Sequence, residues 1–440
     1  MNATQQAIRL SLLTGARTSQ ELAQAAKISQ PTVSRALSGL GEEVVRIGRG
    51  PQTRYALRSE ISSLGSSWPL FLIGEDSSPS QLGRLHSLAG GGYWLERESP
   101  ESWPSLLGEE FKDGVFPGLP WFLDDARPQG FLGRVFAKQH GSRLGEGGNP
   151  ALWSNPSVLE SLIRFGHNLP GAFVLGNDAL KMALSDSSES ITDSSAREQD
   201  YPVLASSVLQ GNIVGSSAGG EQPKFTTRLG ADRNVLVKFS LAMERPEGRR
   251  WADLLTAEKL ALDVLSENGI RCPSAEVFDF ENRRFLEVER FDRTPAGGRI
   301  PTVSLQSFDA AFLGIGPSSW STLAASMEQL NLLSSTQAQQ LSSIWRFGQL
   351  IGNTDMHLGN ISFLLTPKTP LTLAPVYDML PMIYRPGLEG QIPERQQLPE
   401  PSSPREREAV MAREFWGRVA RHPSISASFQ ETAASHAHCA

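Results

Sequence analysis

Asp355, Asn360 and Asp378 are a carboxylate, an amide five residues later, and a second carboxylate eighteen residues beyond the amide. Phosphoryl transfer from ATP needs those groups in that order. The first carboxylate takes or orients the proton of an attacking hydroxyl. The amide and the later carboxylate hold Mg²⁺ against the phosphates. They stand in Asn353-Thr354-Asp355-Met356-His357-Leu358-Gly359-Asn360 and in Val376-Tyr377-Asp378. The spacing of the first pair is that of a protein-kinase catalytic loop. His357 inside it is either a loop-shaping residue or a plain surface histidine.

The same chemistry needs a phosphate cradle and a cation, and both precede the carboxylates. Gly215-Ser216-Ser217-Ala218-Gly219-Gly220-Glu221-Gln222-Pro223-Lys224 is glycine-rich and is read as lying between two strands. Gly219 and Gly220 let the backbone approach phosphate oxygens, and Lys224 follows at the loop's end. Alone, this segment reads equally as a hairpin turn; it is neither a P-loop nor a GxGxxG. Val235-Leu236-Val237-Lys238-Phe239 is an apolar strand broken by one lysine. A buried ammonium needs a counter-charge, and Glu258 in the following helix, about Trp251 to Asn268, supplies it, so that the pair positions the ATP phosphates. Phe285 to Arg293 stands where a kinase passes from its small lobe to its large one. Backbone groups around Glu289 would meet the adenine edge, and Phe291 would pack on its face; an ordinary edge strand is the alternative.

Taken in order, GSSAGGEQPK, LVKF, VERFDR, IGNTDMHLGN and PVYDMLP resemble the HipA family of serine/threonine kinases, toxin components of bacterial toxin–antitoxin systems. The match is close over residues 200 to 385. LGRLHSLAGG and LPWFLDDARPQGFLGR extend it into 70 to 170. The resemblance implies a bilobal kinase-like fold, ATP and Mg²⁺ as cofactors, and a protein serine or threonine as acceptor. By family analogy, an aminoacyl-tRNA synthetase is one candidate substrate. Carried over by motif, Lys238 is the ATP lysine, Asp355 the catalytic aspartate, and Asn360 and Asp378 the metal ligands. The family's loop also carries a serine that the kinase phosphorylates on itself. Counting back from Lys224 puts it at Ser217, with Ser216 as the alternative. A phosphate there adds about two negative charges, which repel ATP from the cradle. The chain departs from ordinary protein kinases in having Asn353-Thr354-Asp355 for His-Arg-Asp and Asp378-Met379-Leu380 for Asp-Phe-Gly. Control by an ordinary activation segment is therefore not expected.

The elements that must carry these groups follow from the rest of the 440 residues, a length that implies two or three domains. The net charge of −6 argues against nonspecific nucleic-acid binding by the whole chain, but residues 1 to 57 run the other way. They carry Arg9, Arg17, Lys27, Arg35, Arg46, Arg49 and Arg54 against Glu21, Glu42 and Glu43. Helix one carries Ile8, Leu10, Leu12 and Leu13. Thr18 and Glu21 form a capping box for helix two. Ser29 caps helix three, in which Val33, Ala36, Leu37 and Leu40 recur at helical spacing. Its other face offers Gln30, Thr32, Ser34 and Arg35, and a strand-turn-strand follows with Arg46, Arg49 and Arg54. This reads as a winged helix-turn-helix for duplex DNA, with a small helical dimerisation cap as the alternative; it is absent from HipA itself, whose DNA-binding partner HipB is separate. The fusion resembles the YjjJ-like subgroup of HipA-like proteins. One such motif reads a short site, so specific binding calls for a dimer or a second partner.

The fold class expected is α+β: residues 1–58 a winged helix-turn-helix, 59–200 a HipA-like N-terminal subdomain, 201–388 the kinase-like core, and 389–440 a Pro/Glu-rich loop with a last helix around Ala409 to Val419. Residues 185 to 195 read as an exposed serine-rich loop. The pattern from Tyr201 onward reads as strand, Gly-rich turn, strand, strand, helix. The histidines of the tail look like part of a disordered terminus. The two cysteines, Cys272 and Cys439, give no disulfide framework, and no apolar run is long enough to span a bilayer, so the expectation is a cytoplasmic protein, nucleoid-associated when DNA-bound and free of membrane. Two other readings compete with the kinase. One is a transcription regulator whose kinase-like part is a ligand sensor or silent. The other is a small-molecule kinase joined to a repressor domain.

Overall fold

The computed structural model describes residues 1–99, 103–185, 191–211, 222–230, 232–387 and 389–437. The chain starts with α1 (Ala3–Leu12), β1 (Arg17–Thr18), α2 (Ser19–Ala26), α3 (Gln30–Leu40), β2 (Val44–Ile47) and β3 (Arg54–Leu57). The strands form an antiparallel sheet in the order β1-β3-β2. Reciprocal capping boxes open two helices: Asn2 with Gln5 at α1, and Thr18 with Glu21 at α2. Ser29 does hold the N-cap position of α3, but its hydroxyl bonds the Thr32 hydroxyl at 2.9 Å and caps no backbone N–H. Ile8, Leu12, Leu22, Val33, Leu37 and Leu40 make the core between the helices. Leu10 and Leu13 are exposed, because helical spacing turns them away from Ile8 and Leu12.

The middle region is a second antiparallel sheet with helices packed on it. It contains β4 (Ser67–Ile73), β5 (Pro79–Ser87), β6 (Tyr93–Arg97), β7 (Val115–Phe116), α4 (Trp121–Asp124), α5 (Gly130–His140), α6 (Asn155–Phe165), β8 (Phe173–Leu175) and α7 (Asn177–Leu184). The strand order is β7-β6-β5-β4-β8. The back of the first sheet rests on this region: Val45, Ile47 and Ala56 pack with Leu88, Trp94 and Val115.

The next sheet has the order β12-β13-β11-β10-β9. Its elements are β9 (Ile191–Thr192), α8 (Arg197–Gln210), β10 (Lys224–Leu229), β11 (Arg233–Phe239), α9 (Pro246–Glu267), β12 (Ala275–Phe280) and β13 (Arg283–Glu289). Two expectations are corrected here. Residues 191–192 are not loop but a strand parallel to β10. The run from Tyr201 is not a strand but the body of α8, since Tyr201, Leu204, Ala205 and Val208 are buried at helical spacing against Phe225 and Phe285. β9 and the first residues of α8 precede residue 200.

The remainder is mostly helical. It comprises β14 (Thr302–Ser304), α10 (Leu305–Phe308), α11 (Trp320–Gln329), α12 (Ser335–Leu350), β15 (Ser362–Leu364), β16 (Thr372–Leu373), α13 (Arg407–Arg421) and α14 (Ala427–Ala437). One apolar core joins this part to the middle region, with Trp121, Phe122 and Leu159 in the same cluster as Leu254, Phe308 and Phe347. The tail is not a loose end. Phe429 and Ala433 of α14 are buried, and so is His436, whose Nε2 meets the Tyr384 hydroxyl at 2.5 Å. Burial holds the His436 imidazole neutral, its pKa lowered to about 4. Among the described residues no helix is long and apolar enough to cross a membrane.

Candidate active site

Strand alternation decides where the lysine points. In β11, Val235, Val237 and Phe239 join the core under α8. Leu236 and Lys238 therefore take the other face, which walls a cavity of about 620 Å³. The register sets Lys224 of β10 directly across from Lys238, so two nearly fully buried lysines stand side by side. Glu258, on the buried face of α9, accepts from Lys238 Nζ at 2.6 and 2.8 Å. Lys238 also donates to Asp378 Oδ1. Burial disfavours the lysine's charge, but the Asp378 and Glu258 carboxylates outweigh it and hold the ammonium charged, above its ordinary range. Burial raises Glu258 even against Lys238. Asp378 goes the other way: burial opposes its charge, but Lys238 and Lys224 draw it down below the usual carboxylate range.

The two acidic loops are tied together through Asn353. Its Nδ2 donates to the Asp378 carbonyl at 3.0 Å, and its Oδ1 accepts the Asp355 N–H at 3.1 Å. Asn360 closes the loop from the other end, Nδ2 donating to the Asp355 carbonyl at 2.6 Å. That bond leaves the Asn360 carbonyl oxygen, the atom a hard cation takes. Gly352, just before the loop, has φ +75°, and a Cβ there would lie 2.8 Å from Ile383 Cγ2 and Leu398 Cδ2. Asp378 itself has φ +53°, a costly conformation for a residue with a side chain and one kept where its surroundings enforce it. Tyr377 helps to do so. Its hydroxyl lies 2.7 Å from Ser362 Oγ and donates to the Gly359 carbonyl at 3.0 Å, while its ring stacks on Phe291 at 5.8 Å.

The middle region supplies one wall. Asp125, half-buried at the interface, accepts from the Ser304 N–H at 2.5 Å and from the Ser304 and Ser307 hydroxyls at 2.6 Å each. Burial still raises its pKa against those hydroxyls. At the turn after β13, the Glu289 and Arg290 N–H groups bond the Ser274 and Asn234 carbonyls at 2.9 and 2.8 Å. Asp292 follows, clamped by Arg290 at 3.0 and 2.8 Å and by Arg293 at 2.8 Å, and it accepts the Gly171 N–H at 2.9 Å.

Lys224, Lys238, Glu258, Glu289, Phe291, Asp355, Asn360 and Asp378 thus line one cavity. Ser216, Ser217, Gly219 and Gly220 lie outside the described residues. In the N-terminal unit, Gln30, Ser34, Arg35, Arg46 and Arg49 are exposed and Thr32 is half-buried. Arg54, at the start of β3, is half-buried. It turns to the middle region, where its guanidinium pairs with Asp113 at 2.8 Å. His357 accepts the Gly359 N–H through Nδ1 at 3.0 Å and so caps the short turn that ends at Asn360. Asn353, Tyr377, Asp125 with Ser304 and Ser307, and the Arg290–Asp292–Arg293 clamp were not read from the sequence as site residues. Asn353 left a usable signal: an amide two residues before an aspartate can bond that residue's own N–H.

No group of three or more His, Cys, Asp and Glu side chains arranged for a metal occurs among the described residues. Mg²⁺ does not need one. It binds through one or two protein oxygens and completes its shell with water and phosphate, so the Asp378 carboxylate and the Asn360 carbonyl suit it. The two lysines and the cavity's apolar wall of Leu236 and Val288 suit a nucleotide in the same way.

The architecture is that of a HipA-like fold. It superposes with TM-score 0.53 on a chain of the solved Shewanella oneidensis MR-1 toxin–antitoxin complex of HipA, HipB and operator DNA, at 15% identity, covering 84% of this chain and 95% of that one. Family models match two segments: "YjjJ-like toxin, middle domain" over residues 64–184 and "HipA-like C-terminal domain" over 216–436. The toxin YjjJ of Escherichia coli (strain K12) is 35% identical over 431 residues, 96% of this chain and 94% of that protein. The chain belongs to the YjjJ-like toxins of the HipA family.

Proposed function

We propose that this protein is an ATP- and Mg²⁺-dependent serine/threonine protein kinase of cytoplasmic, growth-inhibiting type that also carries its own DNA-binding unit. The observation that carries the reading is the joint placement of Lys238, Glu258, Asp378 and Asp355 around one cavity, with Asn353 bonded to both acidic loops. Glu258 fixes Lys238, and Lys238 with Lys224 presents positive charge to the phosphates. Glu289 carbonyl and Phe291 N–H are the backbone groups that would meet an adenine edge, since the Glu289 and Arg290 N–H groups are already bonded. Phe291 and Tyr377 offer ring faces beside it. Asn360 and Asp378 would hold the metal, which when bound neutralises the charge growing on the transferred phosphoryl group. Asp355 takes the proton from the acceptor hydroxyl. A silent sensor has no need to keep this set of buried, mutually compensated charges. Incubation of the purified protein with ATP and Mg²⁺, followed by phosphate mapping by mass spectrometry, tests the reading; no phosphate on the protein or on any added protein would overturn it.

Self-phosphorylation is expected on Ser217 or Ser216. Ser217→Asp should weaken ATP binding by like-charge repulsion, whereas Ser217→Ala should leave it nearly unchanged, because backbone N–H groups cradle phosphates in such loops. Stoichiometric phosphate elsewhere and none in the loop would exclude self-inactivation at this position.

Residues 1–58 are proposed to be a winged helix-turn-helix that binds duplex DNA as a dimer or with a second partner. The helix-strand-helix-helix-strand-strand order and the exposed polar face of α3 support this. With Arg54 engaged by Asp113, few cations remain for phosphates, and log K against log salt should fall with a slope of roughly −3 to −4. Arg35→Ala should relax sequence preference. Arg49→Ala should weaken binding to all sequences alike and flatten the slope by about one. Titration of the full chain into duplexes at several salt concentrations measures both; equal effects of the two changes on every sequence would remove Arg35 from base reading.

A further inference from the structure

A second, open groove of about 360 Å³ borders the catalytic loop. Thr354, the residue before Asp355, forms one edge. Met382 and Ile383, which follow Asp378 in the chain, line it with Ile392 and Pro393, and Arg385 is its one cation. Met382 and Arg385 also line the 620 Å³ cavity, so the two spaces share a wall. The lining is fixed to the same backbone that carries Asp355, since the Ile383 N–H donates to the Gly352 carbonyl at 3.0 Å. Arg385 is exposed, and among the described residues no carboxylate forms an ion pair with it. The groove is therefore mostly apolar in its lining and carries one cation, Arg385, on the side it shares with the reaction cavity.

We propose that this groove seats the protein substrate beside the hydroxyl being phosphorylated, taking one apolar side chain, with an acidic residue of the same segment against Arg385. The proposal rests on the kinase reading and specifies its acceptor. A nucleotide held by Lys238 and Asp378 fills the cavity behind Asp355, so the acceptor hydroxyl must arrive from the open side. The chain that brings it has to continue past the loop. An extended segment advances about 3.3 Å per residue, so the next one to three residues fall beyond Thr354, where this groove begins. An apolar lining excludes a charged side chain from that position, because burying it would go uncompensated. The Arg385 guanidinium favours a carboxylate on the neighbouring residue.

The test uses the full-length protein, ATP and Mg²⁺ with a positional-scanning peptide library built around a central serine or threonine. The expected profile shows about tenfold enrichment of aliphatic residues at one position next to the acceptor, as partial burial of one such side chain gives. It also shows roughly threefold enrichment of Asp and Glu at an adjacent one, the size of an exposed ion pair. Arg385→Glu should invert the second preference to Lys and Arg, and Ile392→Ala should flatten the first. Self-phosphorylation of the unaltered protein with a flat library profile, with no peptide phosphorylated, or with a profile unmoved by Arg385→Glu, would overturn the groove while the kinase reading stands. An equal loss of ATP affinity in Arg385→Glu would assign that side chain to the nucleotide and overturn it as well. No transfer of phosphate by the unaltered protein to itself or to any peptide would remove the kinase reading, and the groove with it.

Discussion

Asp355→Ala is expected to lower self-phosphorylation by about 10²- to 10⁴-fold, the usual worth of a positioned proton acceptor, with no change in thermal stability. The reason lies in which atoms hold the loop. Asn353 bonds the Asp355 backbone N–H and Asn360 bonds its carbonyl, and both bonds survive loss of the side chain. Asp355 itself is half-exposed, so no core is opened. Asp378→Ala makes the useful contrast. It removes the proposed metal ligand and a partner of buried Lys238 at once, and should cost stability as well as rate. Rates from incorporated phosphate and melting curves from circular dichroism separate the two. An Asp355→Ala variant that labels itself, or inhibits growth, as strongly as the parent would leave phosphoryl transfer without its base.

Asp292→Ala is expected to have the largest effect on stability, about 3–5 kcal/mol, because it leaves Arg290 and Arg293 in a buried site without the charge that joins them. The apparent melting point should fall by roughly 10 °C. Burial opposes the Asp292 charge, yet Arg290 and then Arg293 override it and hold the carboxyl far below the usual carboxylate range. A depressed folded pKa means the stabilisation is complete above the unfolded value of about 4 and drains away as pH falls below that toward the folded value. Urea unfolding of the parent between about pH 5 and pH 2 should show that loss. Asp292→Asn, already weakened at neutral pH, should show a smaller decline across the same range. A parent and variant that weaken in parallel would mean that the clamp is open to solvent.

That Lys238, Glu258, Asp355, Asn360 and Asp378 would gather at one cavity was legible in the sequence because each sits on its own regular element or at the end of one. Lys238 broke an apolar strand, Glu258 lay on a helix with an obvious buried face, and Asp355, Asn360 and Asp378 kept a spacing that backbone geometry demands. What could not be read were the groups that meet across long stretches of chain. Asp125 reaches Ser304 and Ser307 from some 180 residues away, and Asp113 takes Arg54 from 59 residues away. No local period records such pairs. The misread strand at Tyr201 has a different cause. Pro202 sits one residue after Tyr201 inside the helix, where proline usually argues against one, and it masked an apolar spacing that is helical when counted out. The C-terminal helix was hidden in the same manner. Ala427–Ala437 is rich in Ala and Ser, residues that look like an untethered tail until Phe429 and His436 are seen against Trp416 and Tyr384.

The small sheet of residues 17–57 has no free reverse side. Val45, Ile47 and Ala56 sit on Leu88, Trp94 and Val115, the Ala89 N–H bonds the Leu57 carbonyl at 2.8 Å, and the Arg54–Asp113 pair pins the edge. The head is thus bolted to the body and does not swing on a tether. Its α3 helix inherits the orientation of everything behind it. In any two-copy assembly, the distance and angle between the two α3 helices would be dimensions of the whole toxin, set by how the large bodies meet rather than by how far a linker can stretch.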